Sequence, residues 1–400
     1  MKKNNEIKIP LDVIFLLACG VMMFVLGIVL LFVARGFFPH YQHGIYGLFL
    51  IICGLHLQIL GKTPVRHTLR TWPVLAFGII VTIIGLVSIF VPGILGDIPK
   101  ILVIILYGAG GILLLLNIFL SNDMYQLWKT HGKKVYTHLI YRYATVYIFT
   151  SFIGITTIIQ IFLPEIIHIE LFAAFFLLFS INLFYLAYNL QKPGQISTES
   201  TIPISHSCMS LRTVMEMQYG FFMLVSGSLL VLKSIGLIPF AYGAQMGTLV
   251  LLLGVQALVV GDMLTLQFDR NWLIILIGII FVSFGTITII VPDIFIIYLA
   301  LFISLFNIMG GFYLLYRLLK PRSKSEKEVY KPEGNDILIL IFLVLLAILT
   351  GILMILIGIS LLIFDQIPVL NFAIILAFFG LTLFVLFYVR SIAEKKQLIG

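Results

Sequence analysis

Two stretches of this chain share one pattern: Trp72 to Pro92, WPVLAFGIIVTIIGLVSIFVP, and Trp272 to Pro292, WLIILIGIIFVSFGTITIIVP. Each is an apolar run that a tryptophan opens and a proline closes, and neither contains a charged residue. Since about 20 apolar residues span the hydrocarbon core as a helix, each stretch is long enough to cross a bilayer. The pattern therefore predicts membrane-spanning helices and an internal repeat.

The composition extends this prediction to the whole chain. Of its 400 residues, 61% are hydrophobic and only 10% are charged. A soluble domain carries about 25% charged residues, so this composition excludes a soluble protein. It predicts an all-helical integral membrane protein with twelve transmembrane helices in six antiparallel hairpins, at 12–35, 44–60, 72–91, 99–120, 142–163, 168–190, 212–235, 243–261, 272–291, 294–317, 337–363 and 369–390.

The basic residues predict the orientation of these spans. All 25 Lys and Arg residues except Arg35, Lys100 and Lys233 fall in the longer connections or near the termini. The positive-inside rule then places both termini in the cytoplasm and the six short turns outside, in a plasma or inner membrane. The net charge of +8 is thereby explained by topology and not by nucleic acid. The partner is the bilayer, with anionic lipids at the basic cytoplasmic loops.

A repeat at an offset of 200 residues runs through the chain. Ten glycines recur at this offset: Gly20, Gly27, Gly36, Gly47, Gly54, Gly61, Gly78, Gly85, Gly110 and Gly111 match Gly220, Gly227, Gly236, Gly247, Gly254, Gly261, Gly278, Gly285, Gly310 and Gly311. Beyond residue 120 the offset becomes 204, aligning Gly154 with Gly358. We therefore predict a first six-span repeat at 1–192, a cytoplasmic linker at 193–211 and a second repeat at 212–400. Six spans in each copy make the repeats parallel.

Within spans the glycines recur every seven residues, which places them on one stripe of each helix. Such a stripe lets a neighbouring backbone approach closely. The predicted packing set is Gly20, Gly27, Gly47, Gly54, Gly61, Gly78 and Gly85, with Gly220, Gly227, Gly247, Gly254, Gly261, Gly278 and Gly285 in the second copy. The alternative use of these stripes is to line a pore or to let helices slide. A proline in each outer turn suggests that the outer hairpin is the elementary unit.

The segment Trp72 to Gly78, WPVLAFG, opens a span after a basic loop and resembles the start of the third span in the HdeD family of acid-resistance membrane proteins. The arrangement of glycine, apolar run, proline turn and second apolar run is similar too. The resemblance covers both halves, with Trp272 heading the second copy. It implies a tandem duplication of the six-span HdeD-like unit and a non-enzymatic role in acid-stress or envelope homeostasis.

Few residues suggest chemistry. Glu216 lies four residues after Arg212, which predicts a local ion pair or, alternatively, a site inside the bundle. Side chains of the imidazole and carboxyl types titrate between about pH 4 and 6.5, which makes the outer turns a candidate proton-sensing surface. Its candidates are His40, His43, His168, Asp97, Glu165 and Glu170.

The second function considered is a channel or facilitator for a small or neutral solute, with its path between the two repeats. Span amides would line it or would form interhelical hydrogen bonds: Asn182, Asn307, Asn371, Gln58, Gln160 and Gln256. The sequence contains no HExxH, GxSxG, GxxxxGK[ST] or GxGxxG motif and no metal-ligand spacing, so we expect no enzyme, cofactor or metal site. Oligomeric state is not indicated.

Overall fold

A computed structural model describes residues 10–39, 41–59, 72–120, 133–162, 168–191, 211–260, 262–263, 266–267, 272–292, 294–319, 335–363 and 367–395. The α-helices are α1 (Leu11–Ala34), α2 (Gln42–Ile59), α3 (Trp72–Phe90), α4 (Ile98–Val103), α5 (Gly110–Leu120), α6 (Lys133–Phe162), α7 (Ile169–Gln191), α8 (Leu211–Ser234), α9 (Tyr242–Val260), α10 (Trp272–Ile290), α11 (Ile296–Leu319), α12 (Asn335–Leu362) and α13 (Val369–Lys395). We call α1 to α7 the first half and α8 to α13 the second half.

The prediction of an all-helical membrane protein is confirmed. Among the described residues, twelve helices are long and apolar enough to cross a membrane. The fourth of them is composite, because a π-helical segment, Ile104–Ala109, joins α4 to α5. α6 begins at Lys133, well inside the predicted 121–141 connection. A two-residue β ladder pairs β1 (Asp262–Met263) with β2 (Leu266–Gln267) in the connection between α9 and α10.

The surface of the bundle is apolar. Leu113, Tyr298 and Leu338 are 66%, 73% and 65% exposed, and many other large apolar side chains share this exposure. Soluble proteins rarely expose apolar patches beyond a few hundred Å², whereas lipid accepts them. Together with the twelve apolar helices, this surface identifies a multi-pass membrane protein.

The helices pack most closely in six antiparallel pairs. In the first half these are α1 with α7, α2 with α3, and the π-helical segment and α5 with α6; in the second half they are α8 with α13, α9 with α10, and α11 with α12. The closest packing thus does not follow the outer turns, which the sequence suggested as the unit. Apart from α12 and α13, helices that an outer turn connects have few contacts with each other.

Two outer turns stop their helices in the same way. After α1, the Gly36 N–H donates to the Val33 carbonyl and the Phe37 N–H to the Phe32 carbonyl, at 2.9 and 3.0 Å. Gly36 has φ +77°, a left-handed conformation that glycine adopts without strain, and Gly236 after α8 has the same angle. The repeated glycine at this position is therefore required by the turn.

The two halves meet along the helices nearest the bundle centre. α1 packs against α10, α3 packs against α8, and α9 is almost completely buried among its neighbours. The Phe90 ring of α3 lies 5.7 Å from the Phe222 ring of α8 and 5.8 Å from that of Phe240. The Ala241 N–H donates to the Phe90 carbonyl at 2.9 Å. These contacts fill the seam between the halves with aromatic side chains and backbone.

Candidate functional site

Glycines form the closest contact between α2 and α3. A Cβ atom placed on Gly54 would lie 2.6 Å from the carbonyl oxygen of Gly78, and one placed on Gly85 would lie 2.8 Å from that of Gly47. A side chain does not fit at such distances, so the missing Cβ atoms are what lets the two backbones touch. Backbone Cα–H groups then contact carbonyl oxygens directly, which adds a weak attraction.

The second half repeats this contact between α9 and α10. A Cβ atom on Gly254 would lie 2.8 Å from the Gly278 carbonyl oxygen, and one on Gly285 would lie 2.7 Å from that of Gly247. These four positions match the four in α2 and α3 at an offset of 200 residues. The same partner carbonyls are therefore approached in both halves.

Smaller residues mediate the pairs α1–α7 and α8–α13. A Cβ atom on Gly27 would lie 2.9 Å from the carbonyl oxygen of Ala173, and one on Gly227 would lie 2.8 Å from that of Ala373. Both partners recur at 200 residues, so the contacts of this helix pair keep that offset, whereas Gly154 and Gly358 in the preceding span match at the predicted 204.

The other predicted packing glycines differ in how tightly they are held. A Cβ atom on Gly20 would meet the ring of Phe184 at 2.7 Å. One on Gly220 would find only ordinary contacts, the nearest at 3.4 Å. Gly61 and Gly261 lie outside the described residues.

An ion pair joins α8 to α13. Arg390 donates to a carboxylate oxygen of Glu216, and both side chains are mostly buried. The predicted local partner of Glu216 was Arg212, whose side chain lies outside the described residues. The contacts of Gly27 with Ala173 and of Gly227 with Ala373 match these two helix pairs at 200 residues, which places Leu16 and Leu190 at the positions of this ion pair in the first half. Both leucines pack against the apolar core. The second half therefore has two opposite charges at these positions and the first half has two apolar side chains. Neither combination leaves a buried charge uncompensated.

Of the proton-sensing candidates, His43 is partly buried at the start of α2. Its backbone carbonyl accepts a hydrogen bond of 3.3 Å from Ser88, and its ring centroid lies 6.2 Å from that of Tyr41. The Tyr41 hydroxyl donates to the Ile89 carbonyl at 2.6 Å, and burial raises the pKa of this phenol. These contacts fix the turn before α2 against the end of α3.

The remaining candidates are dispersed over exposed positions. His168 and Glu170 are exposed at the start of α7. Asp97 forms an ion pair with Lys100, three residues later, in which Nζ and Oδ1 are 2.9 Å apart. The Asp97 side chain is 70% exposed. Within the described part of the chain, no hydrogen bond or ion pair joins two of the candidates. Two more lie outside the described residues: His40 and Glu165.

Several of the span amides bond across helices. Gln58 of α2 donates to the Thr82 hydroxyl of α3 at 2.9 Å. The side-chain amide oxygen of Asn182 in α7 accepts from the Thr145 hydroxyl of α6 at 3.2 Å, whereas the Asn307 side chain donates to the Ile303 backbone carbonyl within its own helix. Such bonds are the expected use of amides in a membrane bundle.

A small cavity lies inside the first half, between α1, α2, α6 and α7. Its volume is about 40 Å³. The polar part of its lining comes from α2 and α6: Gln42, Tyr46, Thr156, Thr157 and Gln160. Since Gln42 begins α2 and Gln160 lies two residues before the end of α6, the polar groups are at one end of the bundle. The positive-inside rule predicts that this end lies outside the cell.

Hydrogen bonds connect the polar groups of this cavity across helices. The Tyr46 hydroxyl donates to the Gln160 amide oxygen at 2.6 Å, and Gln42 makes a longer contact of 3.5 Å with the same hydroxyl. Thr156 and Thr157 both donate to the Ile153 carbonyl, so their oxygens remain available as acceptors. The cavity therefore offers donors and acceptors but no formal charge.

An aromatic floor closes the cavity toward the middle of the bundle. The Phe49 ring lies 5.6 Å from the rings of both Phe176 and Tyr107. Tyr107 belongs to the π-helical segment and donates to the Phe49 carbonyl at 2.6 Å. π-helical turns occur frequently at functional sites, and this one supports the floor of the cavity.

Comparison with protein families, curated proteins and solved structures gives no match for this chain. Among the described residues, no group of three or more His, Cys, Asp or Glu side chains is arranged to hold a metal ion. The geometry itself must therefore indicate the function.

Sequence reasoning singled out Gln160 but missed Gln42 and Tyr46 as its neighbours. A signal was present in the repeat, because the matching positions in the second copy are Tyr242 and Met246. The first copy thus carries an amide and a phenol at this pair, whereas the second copy carries a phenol and a thioether.

Proposed function

We propose that the chain is a non-enzymatic membrane protein made of two parallel, six-span units that resemble the HdeD family, at 1–192 and 212–400, joined by a cytoplasmic linker at 193–211. The repeated glycine contacts support the duplication. The fifth span of each half supports it too. A Cβ atom on Gly154 would lie 3.2 Å from the Ile104 carbonyl oxygen, and one on Gly358 would lie 2.6 Å from the Ser304 carbonyl oxygen. These pairs keep the predicted offsets of 200 and 204 residues.

The arrangement of the halves supports the same proposal. α1 packs against α10, and α3 packs against α8. At the 200-residue offset α1 corresponds to α8 and α3 corresponds to α10, so each of these two contacts maps onto the other. A parallel repeat with a twofold axis along the membrane normal produces such an exchange.

The observation that carries the functional part is the close packing of the bundle. Six helix pairs touch through their backbones, and aromatic side chains fill the seam where a solute path between the repeats would run. This favours a closed structural protein of the plasma or inner membrane over a facilitator. Its role would be envelope homeostasis under acid stress, with anionic lipids bound at the basic cytoplasmic loops.

A flux measurement tests this proposal. Purified protein in liposomes should leave the membrane as tight to protons and to glycerol as protein-free liposomes, both at pH 7 and at about pH 5. The matched comparison is the Phe90→Ala/Phe222→Ala variant, which opens the seam. A flux above background from the wild-type protein would instead favour the facilitator.

The acid-stress role predicts a pH-dependent structural change at the outer turns. Lowering the pH adds positive charge to imidazoles and removes negative charge from carboxylates, so these turns become repulsive. The hydrogen-exchange protection factors of the outer turns, which are corrected for the slower intrinsic exchange in acid, should therefore fall between pH 7 and about pH 4. This fall should be smaller in the His40→Ala/His43→Ala/His168→Ala variant and retained in the control His67→Ala/His131→Ala/His138→Ala. An unchanged profile in the first variant would remove the histidines from the account.

A further inference from the structure

Several features of the first half that the second half lacks are gathered at one place. Tyr46 and Gln160 line the cavity, and Tyr107 in the π-helical segment supports its floor. In the second half, α11 is an uninterrupted helix and carries Asn307 at the position of Tyr107. Because several of the differences between the copies meet at one cavity, they favour a specialised use of that cavity.

The matching positions in the second half are occupied by bulkier or less polar groups. Met246 replaces Tyr46, Leu361 replaces Thr157 and Phe364 replaces Gln160, the last two at the 204-residue offset. Met246 and Leu361 are buried there. The second copy thus shows that these helices can pack with apolar side chains at the positions of Tyr46 and Thr157, so these two polar groups are not needed for packing.

We propose that the first-half cavity binds a small uncharged carboxamide that enters from the outer aqueous phase. The size follows from the volume: a water molecule needs about 10–15 Å³ of such space, so about 40 Å³ holds a molecule of about four non-hydrogen atoms. The absence of charge follows from the lining, because none of the residues that line the cavity is ionised at neutral pH.

The carboxamide class follows from the hydrogen bonds. Gln160 uses its amide oxygen for Tyr46, and no acceptor among the described residues takes the hydrogens of its amide nitrogen. A ligand carbonyl can accept from that nitrogen. Ligand N–H groups can donate to the oxygens of Thr156 and Thr157, whose protons are used within α6. A planar amide also fits against the ring of Phe176 in the floor.

The site does not depend on the proposed function, because a membrane that remains tight to protons and glycerol is compatible with a cavity that ends in an aromatic floor. Failure of one proposal therefore leaves the other in place.

Acetamide is the probe and acetate the matched comparison, since the two have the same shape and only acetate is charged. Saturation-transfer NMR on the full chain in nanodiscs should show acetamide binding at concentrations up to about 50 mM, because a ligand this small reaches at best submillimolar affinity. Acetate should bind at least tenfold more weakly. The proposal is wrong if acetamide shows no saturation transfer, or if acetate shows as much as acetamide. Neither result needs a variant.

Variants copied from the second half locate the binding. Tyr46→Met and Thr157→Leu should each weaken acetamide binding at least tenfold while the protein keeps its thermal stability. Met246→Leu in the second half should leave binding unchanged. If acetamide binds both first-half variants as it binds the wild type, the cavity is not the site and the proposal is wrong. Should one variant fail to fold, Gln160→Leu takes its place.

Discussion

Replacing Gly54 with leucine should lower the free energy of unfolding by about 3 kcal/mol, the upper part of the range for overpacked sites. The reason is that even the Cβ atom would collide with the Gly78 carbonyl oxygen and with the Thr82 hydroxyl, and a backbone carbonyl cannot rotate away. The collision would also disturb the bond between Thr82 and Gln58. α2 and α3 must then separate, which removes van der Waals contact along both helices.

Alanine substitutions provide the matched control for this prediction. Gly54→Ala should destabilise the protein even though alanine favours helix by about 1 kcal/mol over glycine. Gly110→Ala should be neutral or stabilising, because its Cβ atom would lie 3.6 Å from the nearest atom, the Ile105 carbonyl oxygen. Thermal unfolding in mild detergent measures both. Equal stability of the two alanine variants would show that the backbone contact contributes little.

The second large effect concerns the ion pair between α8 and α13. Arg390→Leu should cost about 2 kcal/mol, because the mostly buried Glu216 carboxylate then loses the Arg390 guanidinium. Glu216→Leu should cost less, since the long arginine side chain can extend to the membrane surface. The double variant Glu216→Leu/Arg390→Leu should lie within about 1 kcal/mol of the wild type, because the first half carries leucine at both matching positions.

A double-mutant cycle on purified protein measures this coupling. The prediction requires the double variant to be more stable than Arg390→Leu alone. If the two single effects simply add, the pair does not act as a unit and the correspondence with Leu16 and Leu190 carries no energetic meaning.

The helices themselves could be predicted from the sequence, and most of the contacts between them could not. Hydropathy marks each span because lipid requires a continuous apolar run. Which helices pair is decided by shape in three dimensions, and the glycine stripes of α1, α2 and α3 look alike in sequence. For this reason the outer turns suggested hairpins, whereas the structure pairs α1 with α7 and α2 with α3.

Long-range polar contacts were missed for the same reason. The local rule for charges four residues apart pointed from Glu216 to Arg212, whose side chain lies outside the described residues, and it gave no sign of the ion pair with Arg390, 174 residues away in the chain. Tyr46 and Gln160 are 114 residues apart. The π-helical segment Ile104–Ala109 has no signal in its sequence, IILYGA, that distinguishes it from an ordinary helix.

The central claim is that two similar units lie in the same orientation in one membrane. Phe37 and Leu237 test it directly, because they match at an offset of 200 residues and are both 67% exposed in the turns after α1 and α8. Single cysteines at these positions and at Ser205 in the linker, in a background where Cys19, Cys53 and Cys208 are replaced with alanine, would be labelled in intact cells with a membrane-impermeant thiol reagent. We predict labelling at Phe37→Cys and Leu237→Cys and none at Ser205→Cys until the membrane is opened. Labelling of only one of the two turns, or of the linker from outside, would contradict the claim.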